Sequence, residues 1–319
     1  MNKVFTDGLS FALPLLIIAI GALYSEKSGV TNLAVEGFQG VGAFCGALVA
    51  TLITPLMGVG NQAIIYIAIL SAAIGGALFS CIHGLLCIRF RANQVISGVV
   101  INILSVALTA FLTSAANSAI SGTASNKFVL DVSARFSIPL LCDIPWIGGL
   151  FTSMYPFEIM IAVLVVVMWY LMNRTRFGMR LRACGENPQA VDAAGGSVTR
   201  IRWIAVLISG ALSGIGGMCF AYSLLGNFSP SIYQGFGYLA IAGMIFGNWK
   251  IGPTTLACLF FGLAKSGGLQ LCIAAQLPSR YTDLFLLLPY VLTLLLLVFF
   301  SKKNRPPKAA GEPWDQSKR

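Results

Sequence analysis

Most charged side chains fall in links between long apolar runs, and that arrangement constrains this chain more than any motif in it. A helix needs about 20 predominantly apolar residues to cross a hydrocarbon layer about 30 Å thick. Runs of that order cover residues 8–24, 29–54, 62–88, 94–113, 157–172, 203–225, 253–271 and 283–300, with a shorter one at 237–248. Only 10% of the 319 residues are charged and 57% are hydrophobic, where a soluble domain carries about 25% charged. The chain reads as an all-α polytopic membrane protein of nine spans. Lys3 alone precedes the first run, and no small-residue cleavage site leads into a polar domain. That run is expected to stay in place as a helix instead of being removed as a signal peptide.

Two of the runs are irregular. Residues 29–54 carry Asn32, Glu36 and Gln39 among several glycines, which predicts a helix broken near Glu36; a separate crossing there would make ten spans. The run at 237–248 reaches only about 18 Å as a helix. It is expected to be a half-helix or to continue in irregular backbone, which a membrane tolerates only where protein or a watery cavity covers it. Between the fourth and fifth spans, Asp131 and Arg135 stand one helical turn apart beside Phe128, Val132 and Phe136. This spacing predicts a small amphipathic surface helix.

The net charge of +10 does not point to nucleic acid, because the cations sit in links and no aromatic-basic motif accompanies them. They orient the chain instead. If the link between the fifth and sixth spans is cytoplasmic, 16 of the 21 lysines and arginines fall inside, against Lys3, Lys127, Arg135 and Arg280 outside and Lys265 within a span. That bias expects the N-terminus outside and the C-terminus in the cytoplasm.

That link, residues 174–202, is the polar centre of the sequence. Arg174, Arg176, Arg180, Arg182, Arg200 and Arg202 frame the stretch RACGENPQAVDAAGGSV. Asn187 is suited to cap a helix and Pro188 to its first position, where no amide donor is needed. Gln189 to Ala194 then reads as a short helix closed by Gly195 and Gly196. A helix of this length is marginal alone, so it is expected to be presented to a groove of another protein through Glu186, Asn187, Pro188, Gln189, Ala190, Asp192, Ala194 and Gly195.

A weak internal repeat accompanies this order. Val35-Glu36-Gly37-Phe38-Gln39-Gly40 is similar to Tyr233-Gln234-Gly235-Phe236-Gly237-Tyr238; residues 8–24 correspond to 203–225, and 94–113 to 283–300, each pair in opposite direction. Inverted repeats build transporters whose solute route lies near discontinuous helices. Asn32, Glu36, Gln39, Ser97, Asn102, Phe236, Tyr238 and Lys265 are therefore the pathway candidates. Glu36 has two readings, pinning of a broken helix or contact with solute. Lys265 is read as a snorkelling cation or a solute contact. Ser97 and Asn102 line either a helix contact or the route, and the aromatic residues near 236 either stack on a flat solute or form an interfacial belt.

The run Arg182 to Pro188 with Ala190, Ala193, Ala194 and Gly195 resembles the coupling loop of permease subunits in ATP-binding-cassette importers for simple sugars and nucleosides. Gly29-Val30-Thr31-Asn32-Leu33-Ala34-Val35-Glu36-Gly37 is similar to that family's GxxNLxxEG signature. Phe236 to Ala242 and Gly247-Asn248-Trp249-Lys250-Ile251-Gly252-Pro253 resemble its third block. The resemblance implies one permease domain over residues 1–319 in a bacterial cytoplasmic (inner) membrane, related to type II importers built from inverted repeats. Spans at 8–173 and 203–300 would flank the coupling loop at 174–202, with a cytoplasmic tail at 301–319. It also implies ATPase subunits that bind ATP and magnesium, a second and larger permease, and an extracytoplasmic binding protein. No cofactor is expected on this chain. The solute is expected to be a nucleoside, with riboflavin or a simple sugar as alternatives.

The remaining chemistry is sparse. No GxxxxGK[ST] phosphate loop occurs, so ATP hydrolysis is expected on a separate chain. His83 is the sole histidine and the eight cysteines contain no CxxC, which leaves no metal, disulfide or nucleophilic constellation to support an enzyme. An ion-coupled transporter would have to work with Glu36 and Lys265, the two ionisable residues read as intramembrane.

Overall fold

A computed structural model describes residues 2–130, 135–137, 153–276, 278, 282–300 and 304–315. Among them, seven helices are long and apolar enough to cross a membrane, and two shorter apolar segments, Phe236–Phe246 and Leu284–Leu295, bring the expected nine. In chain order the elements are α1 (Asn2–Lys27), α2 (Val35–Met57), α3 (Ala63–Gly84), α4 (Gln94–Ser121), β1 (Phe128–Val129), α5 (Pro156–Arg174), α6 (Arg176–Glu186), α7 (Pro188–Ala193), α8 (Val198–Phe220), β2 (Asn227–Phe228), α9 (Phe236–Phe246), α10 (Ile251–Ala274), α11 (Thr282–Leu286) and α12 (Leu288–Phe300).

A helix hydrophobic all round belongs in a core, and α1 is that helix. Leu15, Ile17, Ile18 and Ile20 are fully buried, and α8, α10, α9 and α5 pack around it. Helices in lipid gain nothing from excluding water at their contacts, so they associate through small residues that let backbones approach. The crossing of α3 with α8 is of this kind. A methyl group on Gly76 would run into the carbonyl of Gly210, one on Gly210 into that of Gly76, and one on Gly214 into that of Ala72. Gly42 of α2 meets Gly214 in the same way, so three helices share one contact. The outward faces of α3, α4 and α5 carry Leu70, Ile74, Leu78, Ile103, Phe111 and Val166 exposed, the surface a chain needs in lipid.

The two expected irregularities are present, one of them in a different place. Helix α2 is continuous from Val35 to Met57; the non-helical backbone lies before it, at residues 28–34, and Glu36 occupies its first turn. The glycines at 37, 40, 42 and 46 are spent on close contacts with Ile101, Ser105, Gly214 and Ala68 instead of on a break. The short run after 235 is a half-helix of 11 residues, α9, entered through irregular backbone and left through a link in which Asn248 and Trp249 adopt positive φ. The spans α1 and α4 extend well past the expected 8–24 and 94–113, because their polar ends stay helical. Antiparallel crossing of α1 and α8, with Gly21 against Ser209 and Ile18 against Gly216, fits the inverted relation of those two segments.

The amphipathic helix expected around Asp131 and Arg135 is not formed where it can be followed. Phe128–Val129 is a strand paired antiparallel with Asn227–Phe228, and Phe136 bridges to Met154; Asp131 and Val132 lie outside the described residues. Phe128, Phe228 and Phe44 pack together under this ribbon, so tertiary burial of the rings overrides the local helical spacing.

Candidate functional site

The basic face is built from the link between α5 and α8. Thr175 ends α5 in extended conformation and caps α6, its side chain accepting from the amide of Gly178 at 3.2 Å. Helix α6 was not legible as a helix in the arginine-rich link. Its signal was the cap at Thr175 and the inward periodicity of Leu181 and Cys184, both fully buried. The expected short helix follows as α7. Asn187 Oδ1 accepts from the amide of Ala190 at 3.0 Å, Pro188 stands at the first position, and Gly195 at φ +77° closes it. Pro188 and Val191 face inward, whereas Glu186, Asn187, Gln189, Ala190, Ala194 and Gly195 are exposed and Asp192 is half-buried. The result is a six-residue helix, too short to hold itself, fixed from below and bare above.

Of the six framing arginines, five are exposed as expected and Arg202 is not. It is the largest of the fully buried side chains among the described residues, on the first turns of α8, with Nε donating to the Ser28 carbonyl at 3.2 Å and Nη1 to the Glu312 carbonyl at 2.9 Å. Glu26 is also buried at this end, and the indole of Trp249 donates to its Oε2 at 2.5 Å, tying the end of α1 to the link between α9 and α10.

Deeper in the bundle the amino ends of α2 and α9 meet. Glu36 Oε2 accepts from the amide of Gly235 at 2.9 Å, which places a carboxylate at the positive end of the half-helix. Asn102 of α4 completes the junction: its Oδ1 accepts from the amide of Gly37 at 2.7 Å, and its Nδ2 donates to the Leu33 carbonyl at 2.8 Å and to the Tyr238 hydroxyl at 3.1 Å. Tyr238 is 45% exposed, so this cluster opens to the surface of the subunit.

The other candidates are not brought into that cluster. Asn32 Nδ2 donates to Ser209 Oγ at 2.9 Å, and Asn32 Oδ1 accepts from the amide of Ala34, which fixes the turn ahead of α2. Ser97 Oγ lies 3.0 Å from His83 Nδ1, with His83 Nε2 3.3 Å from the Thr31 carbonyl, so the sole histidine is a hydrogen-bonded packing residue. Gln39 is buried against Gly217 with neither end of its amide satisfied. Phe236 and Lys265 form a separate group on the opposite side of α9: the Lys265 ammonium sits 3.8 Å from the Phe11 ring centroid and 4.4 Å from that of Phe236. The Lys265 ammonium is thus held against two ring faces, which attract the cation.

The family described as "Branched-chain amino acid transport system / permease component" matches residues 4–297. The chain belongs to this permease family. Within it, the chain is 36% identical to the nucleoside ABC transporter permease protein NupC of Lactococcus lactis subsp. cremoris, over 100% of this chain and 98% of that one. It is likewise 36% identical to the guanosine ABC transporter permease protein NupQ of Bacillus subtilis, over 98% and 96%. Identity to the nucleoside ABC transporter permease protein NupB of the same Lactococcus is 24%, over 80% of this chain and 69% of that longer one. A member of the family is a multi-pass membrane transport subunit, so the exposed faces of α3, α4 and α5 are membrane or subunit surfaces of a permease.

Proposed function

We propose that this permease subunit belongs to an ABC importer of nucleosides, taking its solute from an extracytoplasmic binding protein and its energy from separate ATPase subunits. The observation that carries the reading is α7, a capped helix seated by Pro188 and Val191 that offers a bare face of Glu186, Gln189, Ala190 and Ala194 on the basic side of the molecule. That face fits a groove on an ATPase. ATP and magnesium belong to that partner, and the basic face is cytoplasmic, with the N-terminus outside a bacterial cytoplasmic membrane. The Lactococcus relatives include two permeases, one near this chain in length and one longer, which supports pairing with a second, larger permease.

The solute class rests on the full-length likeness to two nucleoside permeases. The junction of Glu36, Asn102 and Tyr238 suits such a solute, since the half-exposed phenol ring offers a face for a base and the amide offers polar contacts beside it. Import by alternating access then requires that movement of α7 reach this junction through α8 and α2.

The test is co-expression with a cognate ATPase, second permease and binding protein, followed by reconstitution into vesicles. ATP-dependent uptake of labelled guanosine or adenosine, with little uptake of riboflavin, ribose or glucose, is the expected result. Uptake that persists without ATP and collapses with an ionophore would replace this reading by ion-coupled transport.

A further inference from the structure

After α12 the chain returns across the basic face, and residues 305–315 lie along it. The amide of Arg305 donates to Asn248 Oδ1 at 2.9 Å, that of Ala309 to the Gly185 carbonyl at 2.9 Å, and that of Gly311 to the Gly29 carbonyl at 3.3 Å. Arg91 Nη1 pairs with Asp315 Oδ2 at 2.7 Å, fixing the same segment to the turn between α3 and α4. Trp314 packs against the core and, with Asp192 and residues 195–199, lines a cavity directly behind α7. One short segment therefore touches α6, the α7–α8 turn, the α1–α2 turn, the α3–α4 turn and the α9–α10 link.

Arg202 is the centre of this arrangement. It is 1% exposed and divides its donors between the Ser28 carbonyl on the α1–α2 turn and the Glu312 carbonyl on the returning segment, with the Cys184 thiol of α6 as a further partner. The seat is tight, since a methyl group on Gly29 would come within 2.7 Å of Nη2. A buried arginine held mainly by carbonyls is a poor way to gain stability, because an apolar side chain of similar volume avoids the cost of desolvation. Its rigid fork is well suited to join two strands of backbone at fixed spacing.

We propose that residues 305–315 form a strap in the coupling machinery, with Arg202 as the positioning residue that links α7 to the α1–α2 turn. Displacement of α7 passes into the first turn of α8, from Arg202 to Ser28 and Gly29, and from there to α2 and Glu36. The strap keeps these parts moving as one plate. The proposal rests on the reading that α7 receives an ATPase.

The experiment compares the intact chain, a variant lacking residues 305–319, Arg202→Gln, Arg202→Lys and Ala309→Pro, each reconstituted in the full importer, and measures solute moved per ATP hydrolysed alongside ATPase co-purification. The expected result is retained ATPase binding and hydrolysis, with uptake per ATP lowered about tenfold by the deletion and by Arg202→Gln. Ala309→Pro, which removes the donor to Gly185 and stiffens the backbone there, lowers it about threefold, and Arg202→Lys recovers part of the loss. An unchanged ratio in the deletion and in Ala309→Pro overturns the strap while leaving the importer reading intact. Loss of ATPase binding in those variants overturns it in favour of a direct docking surface. Absence of any ATPase on the intact chain defeats the earlier reading itself.

Discussion

Glu36 and Gly235 stand 199 positions apart in the sequence and are joined by one hydrogen bond of 2.9 Å, from the glycine amide to the carboxylate. That bond closes the open start of the half-helix α9 with a partly buried carboxylate from another helix. The amide and the carboxylate each depend on the other.

Replacing Glu36 with Ala is expected to leave the α9 amides unanswered, a cost of about 1–3 kcal/mol for a buried unsatisfied group. Uptake should fall at least about tenfold, and the thermal midpoint in detergent should drop. Glu36→Gln retains an acceptor and should keep an intermediate rate. A Glu36→Ala variant with normal uptake would remove this residue from the working junction.

Asn187→Ala removes the cap of α7 and should weaken that helix by about 1 kcal/mol. Because α7 has only six residues, the loss is expected to appear as reduced ATPase co-purification and about fivefold lower uptake, with membrane insertion unchanged. Asn187→Ser or Asn187→Asp should restore both. Quantitative pull-down of the ATPase from detergent extracts reads the difference.

Lys265→Met keeps the long stem between Phe11 and Phe236 and removes the charge. The cation–π contribution is about 0.5–2 kcal/mol, so a small fall in thermal midpoint is expected. Since Lys265 lies on the far side of α9 from Tyr238, apparent solute affinity should stay within about twofold while Tyr238→Ala weakens it. The concentration dependence of uptake separates the two variants.

Gly214→Val places two methyl groups against the Ala72 carbonyl and Gly42. Overpacking a filled contact costs about 1–3 kcal/mol or more, and here the obstacle is backbone, which cannot rotate aside. The expected outcome is loss of the monodisperse peak in size-exclusion chromatography. Gly267→Val, at an open position of α10, should leave it unchanged.

Local chemistry explains what the sequence made legible. The spans are visible because lipid requires long apolar helices, and α7 is visible because Asn187, Pro188 and Gly195 act on their immediate neighbours. The junction of Glu36 with α9 was half visible: a carboxylate in an apolar run demands a partner, but nothing in the run names Gly235. The break itself was misplaced, since glycines at 37, 40, 42 and 46 look like flexibility and serve close packing. Arg202 was hidden among exposed arginines of the same type, because the α1–α2 turn, α6 and the returning segment bury it only once the chain is folded. That segment has the composition of a solvated tail and is ordered by the carbonyls of Gly29 and Gly185, the Asn248 side chain and the Arg91 guanidinium, a tertiary signal with no local period.

The shared crossing of α2, α3 and α8 has a mechanical corollary. Where carbonyls of Gly76, Gly210 and Ala72 face glycine backbone, the contact is made by main chain, which cannot change rotamer to let one helix slide past another. These three are expected to move as a single wedge, with hinges at its borders, in the irregular residues 28–34 and the left-handed pair Asn248 and Trp249.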